Sequence, residues 1–174
     1  LAEDFHPNRI VAAKAVAEDF VKGRAHDRIG LVIFAGQSFT QCPMTLDYRV
    51  LTGLLKQVKP GMVEDGTAIG MAIAQGVNRL KESKAKSKVM ILLTDGVNNR
   101  GEIDPITAAE IAQTFGIRIY TVGVGTVGEA PYPVQTPFGI RYQNVPVDVD
   151  EKTLTTIANM TGGQYFRAKN NQAL

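Results

Sequence analysis

Lys88-Val-Met-Ile-Leu-Leu-Thr-Asp-Gly96 is the stretch that decides the fold. From Val89 to Leu93 it is an unbroken apolar run of strand length, the pattern of a strand covered on both faces. An acidic residue, Asp95, follows within two positions. Packing does not account for it, because an ionised carboxylate is costly to bury unpaired. A buried strand that delivers a carboxylate to its own end is the unit from which the rest is read.

Working outward, helices and strands alternate. Downstream, Pro105 to Phe115 predicts a helix closed by Gly116, and Ile117 to Val124 a strand. Asp150 to Met160 predicts a last helix, leading through Gly162-Gly163 to a short strand, Gln164 to Arg167. Upstream, Ile10, Ala13, Val16, Ala17, Phe20 and Val21 recur at helical spacing between Pro7 and Gly23. Arg28 to Ala35 reads as a second buried strand, and Phe39 to Cys42 as a weaker one stopped by Pro43. Asp47 is placed to cap a helix with apolar positions Val50, Leu51, Leu54, Leu55 and Val58, ended by Pro60-Gly61. Ala68 to Leu80 predicts a helix whose small residues let it lie close against a sheet. Pro131 to Pro146, with four prolines, reads as an irregular excursion or a hairpin outside the sheet core.

Strands alternating with helices imply an α/β fold, a doubly wound, mostly parallel sheet with helices on both faces. Function in such sheets sits in loops at the carboxyl ends of the strands. The residues to inspect are those after Phe34, Leu93 and Val124, and the loop Gly61 to Thr67. No repeat or low-complexity linker divides residues 1–174, which read as one domain.

Composition narrows the function. The 174 residues are 44% hydrophobic and 21% charged, as in an ordinary globular domain. A formal charge of +2 provides no field for drawing in nucleic acid. The longest apolar runs fall far short of the roughly 20 residues of a membrane span. The single cysteine, Cys42, allows neither an internal disulfide nor a thiolate metal cluster, and reads as a small buried hydrophobe.

Three loops carry candidate chemistry. Asp95 is either a solvated Asp-Gly turn residue or an oxygen ligand for a hard cation such as Mg²⁺. In Glu64-Asp-Gly-Thr-Ala-Ile-Gly70, Asp65 or Thr67 either caps the next helix, or the Thr67 oxygen converges with Asp95 on one ion. Gly123-Val-Gly-Thr-Val-Gly128 is formally G-x-G-x-x-G, with Asp148 about 20 residues on. A dinucleotide site needs a helix to open there, and Glu129-Ala-Pro-Tyr-Pro133 does not open one. His6 and His26 read as solvated or capping groups, and Asp150 as a helix cap. No motif pairs a nucleophile with an activating base.

Arg28-Ile-Gly-Leu-Val-Ile-Phe-Ala35, Asp65-Gly-Thr67 and Val89-Met-Ile-Leu-Leu-Thr-Asp-Gly96 together resemble a von Willebrand factor type A domain, across essentially the whole chain. Ala130-Pro-Tyr-Pro-Val-Gln-Thr-Pro-Phe-Gly139, Asn144-Val-Pro-Val147 and Gly162-Gly-Gln-Tyr-Phe166 are similar, more narrowly, to the Bat aerotolerance-operon membrane proteins of bacteria, the BatA type above all. The resemblance implies a metal-ion-dependent adhesion site of three loops: Asp-x-Ser-x-Ser, a Thr and an Asp. Thr67 matches the Thr and Asp95 the Asp, as metal-binding residues. The first motif and the first, central strand have no match, and Asp4 does not replace them. This reading expects an N-terminally incomplete domain that is unstable alone, carrying a Pro-rich excursion at about 130–147.

The implied function is a metal-dependent protein–protein interaction module, with Mg²⁺ (or Mn²⁺) taking a partner's Asp or Glu carboxylate. The alternative is a cation-assisted hydrolase or nucleotide-binding enzyme using the same rim. The resemblance further implies membrane anchoring outside these residues, a periplasmic domain, and other Bat proteins and a MoxR-type AAA+ ATPase as partners.

Overall fold

A computed structural model describes residues 9–124, 128–136, 139–147 and 149–168, with side chains for 9–124 and 149–168. The elements in chain order are α1 (Arg9–Lys22), β1 (Ile29–Phe34), β2 (Ser38–Thr45), α2 (Tyr48–Gln57), α3 (Ile69–Leu80) and β3 (Lys88–Thr94). They continue as α4 (Pro105–Thr114), β4 (Ile117–Val124), β5 (Gly128–Thr136), β6 (Gly139–Val147), α5 (Glu151–Met160) and β7 (Tyr165–Ala168).

Strands β3, β4 and β7 form a parallel sheet in that order, Lys88 opposite Ile117 and Thr121 opposite Tyr165. Side-chain alternation then assigns two faces. Met90, Leu92, Ile117 and Ile119 pack with α3, α4 and α5, where Ile69, Ile73, Leu154 and Ile157 are fully buried. Ile91, Leu93, Val122 and Val124 meet Ala12 and Ala13 of α1 on the other. Burying each of the fully buried leucines and isoleucines contributes about 1.5–3 kcal/mol. A parallel sheet with helices on both faces is the architecture read from the sequence.

One detail differs from that reading, while the division of the sheet agrees with the missing match to a first, central strand. Strand β2 runs through Pro43 to Thr45 instead of stopping before it. It pairs antiparallel with β1 alone, and Pro43 falls where the register shifts between Ile29–Thr45 and Leu31–Cys42, so no ladder donor is missing there. The sheet is also divided: β1 and β2 form their own two-stranded sheet, not bonded to β3. Only Leu92 and Thr94 of β3 are buried, against six of the eight residues of β4. A lane without a strand among the described residues therefore lies beside β3. Helix α1 reaches both parts: Ala12 joins the β3–β4–β7 cluster, and Val21 packs with Cys42 and Leu51. The Pro-rich excursion is the hairpin β5–β6, a separate antiparallel pair.

Helix α3 is held close to the segment after β3. A Cβ on Gly70 would lie 1.9 Å from the Ile103 carbonyl oxygen, a contact only a hydrogen allows. Gly70→Ala in the full-length protein is expected to lower unfolding stability by about 1–3 kcal/mol in urea denaturation, with an unchanged midpoint contradicting this packing. Tyr165, packed against the same core, has its pKa pushed up to about 12, first by burial and then by the nearby Glu151 carboxylate. The unfolded phenol ionises near pH 10, so this contribution is complete below pH 10 and is lost as pH rises to 12. Stability is expected to fall more steeply over that window in the wild type than in Tyr165→Phe.

Candidate adhesion site

Three loops meet at the carboxyl ends of β1 and β3. The first is Ala35–Gln37, the second Glu64–Ala68 before α3, the third Asp95–Gly101. Backbone bonds join the first two: Ala68 N donates to the Ala35 carbonyl at 2.7 Å, and Gly36 N to the Glu64 carbonyl at 2.8 Å. The third is joined to the second through Asn98 and Asn99. Asn98 Oδ1 accepts from Ile69 N at 2.8 Å, and Asn99 Oδ1 accepts from Thr67 N at 2.9 Å. In return the Thr67 carbonyl accepts from Asn99 N at 3.0 Å and Arg100 N at 3.3 Å.

Helix α3 therefore takes its cap from another loop. Its N-cap residue is Ala68, which has no side-chain cap of its own, so neither Asp65 nor Thr67 plays that part. The Thr67 hydroxyl makes no hydrogen bond among the described residues. It lies against Gly96, where a Cβ would come within 2.8 Å of Thr67 Oγ1. Thr67 is thus brought against the residue that follows Asp95, and any side chain at 96 would push the hydroxyl away.

The Asp95 side chain is 37% exposed at the rim. Beside it is a group that sequence reasoning missed. Arg9, on α1 and 4% exposed, donates from a guanidinium nitrogen (Nη1) to the Asp95 carbonyl at 3.1 Å. The same nitrogen is 3.7 Å from Asp95 Oδ2. Nothing in local sequence marks this arginine, because the contact spans 86 positions. Asn98 and Asn99 were missed too; as neighbours of an Asp-Gly turn they read as loop polarity.

Thr67 and Asp95 are hard oxygen donors of the kind Mg²⁺ or Mn²⁺ takes, so they fit such an ion in type. They fall short in number: among the described residues no three His, Cys, Asp or Glu side chains are grouped to hold a metal. The other candidates are elsewhere. His26 is exposed, and the Asp150 carboxylate caps α5 by accepting from Thr153 N at 3.0 Å. His6, Asp4 and Asp148 lie outside the described residues. Gly128 opens strand β5, so no helix begins there to receive a pyrophosphate.

Comparison with known proteins now decides the family. The model of the von Willebrand factor type A domain matches residues 2–174. The chain belongs to this family. Its fold is that of an aerotolerance-related membrane protein from Bacteroides fragilis, with a TM-score of 0.86 and 30% identity over 98% of this chain and 86% of that one. BatB from Bacteroides thetaiotaomicron gives a TM-score of 0.81 and 30% identity over 98% and 84%. The narrower likeness to Bat proteins is thereby borne out. An uncharacterized protein of Borreliella burgdorferi is 31% identical over 91% of this chain and 47% of its own length. The chain spans about half the length of the curated relatives it matches. At the level of fold alone, proximal thread matrix protein 1 of the mussel byssus has a TM-score of 0.67 and 18% identity over 94% and 39%. That protein is known with zinc in its metal-ion-dependent adhesion motif. No helix among the described residues of this type A domain is long and apolar enough to cross a membrane.

The clamp between the two loops is testable. Asn98→Ala removes the acceptor for Ile69 N, and is expected to cost about 0.5–2 kcal/mol of stability. Hydrogen exchange should quicken at the amides of Ile69 and its neighbours first; exchange unchanged there would show that the helix is capped by another group.

Proposed function

We propose that this domain is a metal-dependent protein-interaction module, in which Thr67 and Asp95 supply two of the oxygen ligands of a divalent ion. One observation carries the reading: a Thr67 hydroxyl without a hydrogen-bond partner among the described residues, seated on Gly96 next to a partly exposed carboxylate, at the strand-end rim. Bound Mg²⁺ or Mn²⁺ would offer an open position to a carboxylate from outside; a neutral hydroxyl among its ligands leaves it electrophilic enough to attract one.

The residues around the ion then divide the work. Asn98 and Asn99 hold the Thr67 loop against the Asp95 loop, and Gly96 keeps the hydroxyl in place. Arg9 bonds the main chain at Asp95. The N-terminus of α3 adds a partial positive charge favourable to an incoming anion. The partner is a protein presenting Asp or Glu, and other Bat proteins and a MoxR-type AAA+ ATPase are the first to test, in a membrane-anchored protein with this domain on the periplasmic side. The neighbouring aerotolerance-related membrane protein supports the membrane anchoring, and the zinc-occupied motif in a protein of the same fold supports a divalent metal at this site.

The test is calorimetric titration of Mg²⁺ and Mn²⁺ into the full-length protein and its Asp95→Ala and Thr67→Ala variants. The wild type is expected to bind one ion, Asp95→Ala to lose at least tenfold in affinity, and Thr67→Ala a smaller factor. Capture of the partner should require the ion and vanish in EDTA. Equal heats from wild type and Asp95→Ala would remove Asp95 from the site and end this reading.

A further inference from the structure

The opposite end of the parallel sheet carries a second surface. A cleft of about 440 Å³ opens where β3 and β4 begin, and its lining includes Lys86, Lys88, Gln113, Arg118, Asn159 and Thr161. This volume is in the range of ordinary ligand sites. Strand β3 separates it from Asp95 by seven residues, roughly 20 Å at strand rise. The chemistry is lopsided: three cations line the cleft and no carboxylate does. Among the described residues none of the three forms an ion pair. Lys88 Nζ reaches only the Lys81 carbonyl, and Arg118 only the Tyr120 hydroxyl, both at 3.5 Å.

Two helices end at this cleft, α4 near Gln113 and α5 at Met160, and neither has a basic residue in its last turn. Part of the positive charge therefore offsets the helix C-termini. Each terminus carries about half a negative charge, so two of them balance about one cation of three. A surplus of about two positive charges remains, in a chain whose whole formal charge is +2.

We infer that this cleft binds an acidic peptide segment of a protein partner, independently of the metal site. Lys86, Lys88 and Arg118 would take its carboxylates, while the Gln113 and Asn159 amides are suited to bond its main chain, both donating and accepting. The alternatives fit less well. No aromatic side chain lines the cleft as a platform for nucleotide bases, and a concave, amide-lined site suits an extended chain better than a flat lipid surface.

Binding of a fluorescein-labelled peptide of alternating Glu and Ser to the full-length protein tests this, with a Gln-for-Glu peptide as control. EDTA throughout keeps the metal site out of the measurement. Binding in low salt should weaken at least tenfold by 0.3 M salt. The double variant Lys86→Glu/Lys88→Glu should lose at least tenfold, whereas Lys86→Arg/Lys88→Arg should stay within about threefold of wild type. Asp95→Ala should bind the peptide as wild type does, so failure here and failure of the metal site are told apart. The inference is overturned if charge reversal leaves binding unchanged, or if the Gln peptide binds equally. It is likewise overturned if phosphatidylglycerol vesicles or single-stranded DNA bind through these lysines and the peptide does not.

Discussion

The candidate site depends on one joint, the pair of side-chain acceptors that Asn98 and Asn99 present to the backbone of Thr67 and Ile69. Every helix start leaves amide donors that need acceptors. Most helices meet that need with a Ser, Thr, Asp or Asn at their own N-cap. Here the N-cap is Ala68, and the acceptor comes from the loop after β3. The consequence is chemical as well as structural. A threonine before a helix commonly spends its hydroxyl on the cap, and in this arrangement the Thr67 hydroxyl is not spent. Gly96 completes the joint, since a larger residue would occupy the space in which that hydroxyl lies.

The divided sheet explains the part played by Arg9. Burying a guanidinium is costly. Arg9, on α1, is nevertheless 4% exposed. Its bond to the Asp95 carbonyl and its nearness to the Asp95 carboxylate contribute to offsetting that cost. Helix α1 is also the element that packs on both portions of the divided sheet, through Ala12 at one end and Val21 at the other. Anchoring its start to the end of β3 thus ties the carboxylate-bearing loop to the helix that spans the lane. The same contact bears on metal chemistry, because a cation 3.7 Å from Asp95 Oδ2 shares the field of that carboxylate with any ion bound there.

Most of the fold was legible because period and punctuation agree. Strands β3 and β4 have the predicted bounds, Asp47 accepts from Arg49 N and Val50 N as a cap should, and Gly116 ends α4 with φ at 65°. Pro43 misled, since proline forbids a central strand but not an edge strand at a register shift. The reading of 131–146 left a hairpin and an irregular excursion open, and main-chain pairing chose the hairpin. For the candidate site, residue type and loop position raised Thr67 and Asp95 beside turn and capping alternatives, and the resemblance to the type A family is what selected them as proposed ligands. What could not be read were Arg9, Asn98 and Asn99, whose parts are set by contacts across 86, 29 and 32 positions. Local sequence holds no record of such contacts.

Both ends of the molecule follow from one property of parallel βα units. Each helix starts near the carboxyl end of one strand and finishes near the amino end of the next, so the helix termini sort by sign. At the rim the start of α3 lies beside Thr67 and the loop of Asp95, and its partial positive charge favours acidic ligands there. At the other edge α4 and α5 end, and their carbonyls favour cations. Lys86, Lys88 and Arg118 answer that demand from β3, β4 and the turn before β3, elements other than the helices themselves. Helix-terminal charge alone would ask for about one cation, and three are present. The sign of each end is thus dictated by topology, whereas the surplus at the amino edge is not, and it is the surplus that marks that edge as a surface for something outside the chain.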